Sequence, residues 1–95
     1  MVLGLMELDL RLDGAASLKA KRHIVRSLVE RIRRDFQVSI SEVDDHDLWG
    51  NATLGIAYVS NDATFVESVL AKVTQAIEDR PEVEITGQWQ EIERR

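Results

Sequence analysis

Residues 2–36 read VLGLMELDLRLDGAASLKAKRHIVRSLVERIRRDF, and inside this stretch the spacing of apolar residues changes from every second position to every third and fourth. Up to Leu12, the residues Gly4, Met6, Leu8, Leu10 and Leu12 fall on one side and Glu7, Asp9 and Arg11 on the other. That alternation is what a strand needs when one face enters a core and the other meets water. After the Gly14-Ala15-Ala16 turn, Ser17 can cap a helix, and Val25, Leu28, Val29, Ile32 and Phe36 form one apolar stripe along it.

Working outward, Gln37 to Val43 reads as a second strand whose period slips at Glu42-Val43, a bulge signal. Asp44 to Asn51 is a polar hairpin loop, and Thr53 to Val59, rich in β-branched and apolar residues, is a third strand. Ser60-Asn61-Asp62 then offers caps to a second helix carrying Val66, Val69, Leu70, Val73 and Ile77. It stops near Arg80-Pro81, beyond which Val83, Ile85, Gly87 and Trp89 alternate as a fourth strand. The order βαββαβ, with right-handed crossovers, predicts an α+β ferredoxin-like fold over residues 1–95: a four-stranded antiparallel sheet with both helices on one face. The other face is left open, with Leu3, Leu5, Glu7 and Asp9 on it.

With 95 residues, 44% hydrophobic and 31% charged, the chain has the balance of one folded domain and not of a disordered segment. It has no cysteine, which removes disulfides and thiolate chemistry together. No apolar run approaches the roughly 20 residues of a membrane span, and the first residues lack the basic region of a leader, so a cytoplasmic location without membrane attachment is expected.

The net charge of −5 conceals an uneven distribution. From Lys19 to Arg34 there are seven cations against the single acid Glu30, a net of +6, and the rest of the chain carries −11. At 100° per residue, Arg22, Arg33, Arg26 and Lys19 fall at about +60°, +80°, +100° and +120° from Val25, forming one ridge beside the core stripe, while Lys21 falls on the core side near −40°. Lys19, Lys21 and Arg22 occupy the first turns, where the helix dipole disfavours cations by about 0.3–1 kcal/mol each. Two readings stand. The cations, with free amides of the helix start, hold a phosphate or an RNA backbone through Lys19, Lys21, Arg22, Arg26 and Arg33. Alternatively they pair with acids such as Asp9 and Asp13, and Lys21 only snorkels.

Catalysis has little support. His23 and His46 lie far apart, and no nucleophile elbow, phosphate loop, dinucleotide fingerprint or zinc-helix pair occurs. Neither an enzyme nor a cofactor or small-molecule substrate is expected. Asp44-Asp45-His46-Asp47 could gather a divalent cation, but aspartates are common in turns for backbone reasons, and a solvated loop without metal is the expectation. Trp49 and Trp89 are expected to close the core, with stacking on a base or anchoring of a partner as the alternative.

Ser17-Leu18-Lys19-Ala20-Lys21-Arg22, then Phe36-Gln37-Val38-Ser39-Ile40-Ser41-Glu42-Val43, and Trp49 ahead of Ala52-Thr53-Leu54-Gly55, together resemble the signature of the YlxP family, over nearly the whole chain. That family usually has Asn where Gln37 stands, Ala at Ser41 and Gln in place of Gly50. The resemblance implies a small bacterial protein of poorly defined function. Such genes often neighbour those of translation initiation and ribosome maturation, which implies RNA or the ribosome as partner. The combined expectation is a non-catalytic accessory domain touching RNA phosphates through the basic helix. Its alternative is a protein-interaction module, either docking an acidic protein on that helix or forming a homodimer through the open sheet face or an edge strand.

Overall fold

A computed structural model describes residues 1–46 and 48–95. The elements follow as β1 (Val2–Leu12), α1 (Leu18–Phe36), β2 (Ser39–Asp44), β3 (Asn51–Ser60), α2 (Ala63–Glu78) and β4 (Val83–Arg94). The strands form one antiparallel sheet in the order β2-β3-β1-β4. This is the ferredoxin-like arrangement of two interlocked βαβ units, with β2 and β4 at the edges.

The alternation of β1 sets the layers. Met6, Leu8 and Leu10 are 1%, 0% and 1% exposed, and they share a core with Val25, Leu28 and Ile32 of α1 and Val66, Leu70, Val73 and Ile77 of α2. Gly4 occupies the same inward row because α2 lies directly on the strand there. A Cβ at that position would stand 2.4 Å from Val66 Cγ1 and 3.0 Å from Leu70 Cδ1. Ser17 caps α1 as expected, its Oγ accepting the Ala20 N–H at 3.1 Å, and the Asp62 carboxylate caps α2 by accepting the Thr64 N–H at 3.0 Å.

Two boundaries differ from expectation, and one irregularity falls where it was expected. Gln37 is not in a strand. Its φ of 54° makes it the left-handed C-cap of α1, with its N–H on the Arg33 carbonyl, so β2 begins only at Ser39. The slip at Glu42-Val43 is indeed a bulge: Glu42 pairs with Leu54 and Asp44 with Thr53, and the surplus Val43 bends over Gly55, where a Cβ would meet Val43 Cγ1 at 2.9 Å. Finally β4 runs on to Arg94, paired with β1 to its first residue, with a bulge at Thr86.

Candidate functional site

Helix α1 carries no acid in its first turn, so Lys19 and Arg22 face the positive end of the helix dipole uncompensated by a neighbour on the same turn. Lys19, Arg22 and Arg26 are exposed and, with His23, line a shallow cleft of about 400 Å³ on the outer flank of the helix. Arg22 and Arg26 also border a cleft of about 230 Å³ between α1 and β2, together with Arg33, Ser41 and Glu42. Among the described residues none of Lys19, Arg22 and Arg26 makes an ion pair. The acids expected to neutralise them are engaged elsewhere. Asp13 lies 3.5 Å from Arg11, and Asp9 accepts a hydrogen bond from Thr53 Oγ1 at 3.0 Å.

Two of the five cations read as ligands sit differently. Lys21 is buried, only 1% exposed, as its core-side angle requires. Its ammonium lies 2.9 Å from Glu42 Oε2 and donates a hydrogen bond to the Asp45 carbonyl. Glu42 Oε2 is itself buried and accepts no hydrogen bond among the described residues, so its contact with Lys21 is coulombic. Lys21 therefore fastens the helix to the end of β2 and does not face solvent. Arg33 lies on the ridge, but its Nη2 donates to the Ile40 carbonyl at 2.8 Å, committing the guanidinium to the backbone of β2. Three cations remain open to a ligand where five were expected.

The acidic loop is occupied by its own backbone. Asp44 Oδ1 accepts the Asp45 N–H at 2.8 Å, and Asp45 Oδ2 lies 3.3 Å from Thr53 Oγ1, whose one proton it shares with the nearer Asp9. Asp47 lies outside the described residues; among those described, no three or more His, Asp or Glu side chains gather as a metal site.

The packing expectation for the tryptophans is overturned: Trp49 is 55% and Trp89 49% exposed. Trp49 belongs to the hairpin loop, beyond the two layers. Trp89 lies on the water side of β4 beside Glu7, which has Gly55 as its neighbour on β3. The absence of a side chain at Gly55 leaves a groove of about 390 Å³ on the open sheet face, bordered by Leu5, Val43, Ala57, Glu7 and Trp89. Sequence periodicity places Leu5 and Glu7 on this face but groups Trp89 with Val83 and Ile85; the bulge at Thr86 reverses that phase, and the cross-strand register brings Trp89 to Glu7.

The topology and packing define a ferredoxin-like α+β domain, and no helix among the described residues is long and apolar enough to cross a membrane. The chain belongs to the family described as "Protein of unknown function (DUF503)", which matches residues 3–89. It is 35% identical over 85 residues to the uncharacterized protein YlxP of Bacillus subtilis (strain 168), spanning 90% of this chain and 92% of that protein. A de novo designed protein with ferredoxin fold matches 100% of this chain and 88% of its own length with a TM-score of 0.60 at 15% identity, a likeness of fold alone. Nothing in the family or the fold indicates catalysis. Several residues of the family resemblance now have structural duties: Ser17 caps α1, Lys21 is buried against β2, and Gln37 ends the helix in the left-handed conformation that Asn adopts more readily.

Proposed function

We propose that this chain is a non-catalytic accessory domain, acting on the ribosome, that holds the phosphates of RNA on Lys19, Arg22 and Arg26. One observation carries the reading: in a chain with a net charge of −5, these three exposed cations on one helix flank have no acid partner among the described residues. Intrinsic helix stability does not favour cations at the start of α1, so an external anion accounts for Lys19 and Arg22 better than folding does.

Three neutralised phosphates of single-stranded RNA predict a log–log salt slope of roughly −2, from about −0.7 per phosphate. Replacing Lys19 and Arg22 by alanine should flatten that slope by about one to one and a half units for any sequence, because phosphate contacts carry no base information. Fluorescence anisotropy of a labelled oligonucleotide across a salt series measures both quantities. Lack of binding to RNA and to ribosomal particles at low salt removes the reading.

A second reading rests on a separate observation, the apolar groove of the open sheet face, which suits a protein partner. Glu7, Asp9, Glu91 and Glu93 share that face, so two copies meeting there would oppose like charges, and a homodimer is better served by the free edge of β4. Sedimentation across a wide concentration range tests self-association. A heavier species that Trp89→Ala dissolves supports docking through the groove, and a constant 10.8 kDa species removes the homodimer.

A further inference from the structure

Helix α1 and strand β2 lie side by side and run in opposite directions, joined by the short corner at Gln37 and Val38. Each step along β2 therefore returns toward the start of the helix. Arg33 reaches Ile40, Arg22 and Arg26 border Ser41 and Glu42, and Lys21 reaches Glu42 and Asp45. The loop that follows β2 thus begins against the first turns of α1, where Lys19 and Arg22 project.

That loop is tied at both ends. The Asp45 carbonyl takes the Lys21 ammonium and also the Leu48 N–H at 3.1 Å, and Asp45 itself has a φ of 66°. On the far side the Gly50 carbonyl accepts the Leu12 N–H at 2.8 Å, just before the segment that leads into α1. Between these two fixed points stand Leu48 and Trp49, 49% and 55% exposed. Burying an indole is worth more than burying any other side chain, so an indole held in water on an anchored loop forgoes that gain.

We infer that Trp49 is a stacking platform for an unpaired base of the same nucleic acid whose phosphates Lys19 and Arg22 hold, which makes the ligand single-stranded RNA and not a duplex. The inference rests on the RNA reading above and adds the ligand's strandedness and an aromatic contact to it. The chemistry is complementary. Cations follow the backbone, while an exposed aromatic face accepts any base that is not already stacked between neighbours in a helix. Buried Lys21 acts here as a positioning residue: it touches no ligand and holds the Asp45 carbonyl that also accepts the Leu48 N–H.

Trp89→Phe leaves Trp49 as the sole tryptophan, and its emission can be followed while single-stranded oligouridylate, or a duplex RNA of the same length, is added. The expected result is saturable quenching by the single strand, at the affinity that anisotropy reports, with weaker binding of the duplex. Trp49→Ala should lower single-strand affinity about 5- to 150-fold, the range of one lost base stack, with the salt slope unchanged because no phosphate contact is lost. Trp49→Phe should recover part of the affinity. The thermal midpoint of both variants should match the parent, since the side chain is exposed. If Lys19→Ala with Arg22→Ala flattens the salt slope while Trp49→Ala alters neither affinity nor quenching, the stacking inference falls and the phosphate reading stands. If neither RNA form binds, both fall. Trp49 emission that responds to protein concentration but not to RNA would assign the loop to contact between copies of the chain and overturn the inference.

Discussion

Lys21→Met is expected to lower the unfolding free energy by about 3–5 kcal/mol, the usual cost of removing one partner of a buried ion pair. The methionine fills much of the same volume, so packing is largely preserved. What remains is a carboxylate oxygen of Glu42 that is buried, accepts no hydrogen bond among the described residues and has lost its counter-charge, and an Asp45 carbonyl that has lost its ammonium. Chemical denaturation measures the loss. The double variant Lys21→Met with Glu42→Leu should regain most of it, because two apolar groups leave no charge unpaired. A Lys21→Met protein with the parent's midpoint would show that the ammonium is not buried. The same experiment separates the two roles open to this lysine, since a phosphate ligand on the surface would lower RNA affinity and leave stability almost untouched.

Leu28→Ala is expected to cost about 2–5 kcal/mol, as truncation of a fully buried leucine does. Leu28 is 1% exposed and sits on the stripe of α1 that faces the sheet, in one cluster with Val25, Ile32 and the inward row of β1. An alanine there opens a void that the neighbouring helix and strand close only in part. Arg31→Ala, on the exposed side of the same helix and paired with Asp35 at 3.4 Å, should change stability by less than about 1 kcal/mol. Equal midpoints for the two variants would reject the orientation of α1.

The core was readable because burial repeats with the period of the element that carries it. The row Met6, Leu8, Leu10 and the stripe Val25, Leu28, Ile32 follow from spacing alone; the cap at Ser17 was legible too, whereas Ser60-Asn61-Asp62 offered three candidates of which Asp62 serves. The end of β4 was not readable: Gln90, Glu91, Glu93 and Arg94 carry the composition of solvated chain, yet an edge strand with an open face needs only its backbone paired to stay in the sheet. Lys21 was half readable. Its angle near −40° puts it on the core side, but its charge type groups it with the cations around it, and the acid that receives it is twenty-one residues away in sequence. That Lys19, Arg22 and Arg26 meet no acid among the described residues depends on where the acids of the chain end up, which no local pattern encodes. The tryptophans show the same limit, since an indole in a loop or on the outer side of a strand is spelled as it would be in a core.

The hydrogen bond from Arg33 to the Ile40 carbonyl has a consequence for how the protein behaves when concentrated or newly made. Strand β2 is an outer strand, and an unpaired outer strand is a template on which another chain can add and begin a fibril. An intruding segment meets a guanidinium at Ile40 and, three and four residues further on, the surplus residue of the bulge and an aspartate, so no long run of matching backbone is offered. Protection against fibril growth at this margin is thus tied to the helix: while α1 is docked the strand is guarded, and conditions that lift α1 from the sheet would expose it.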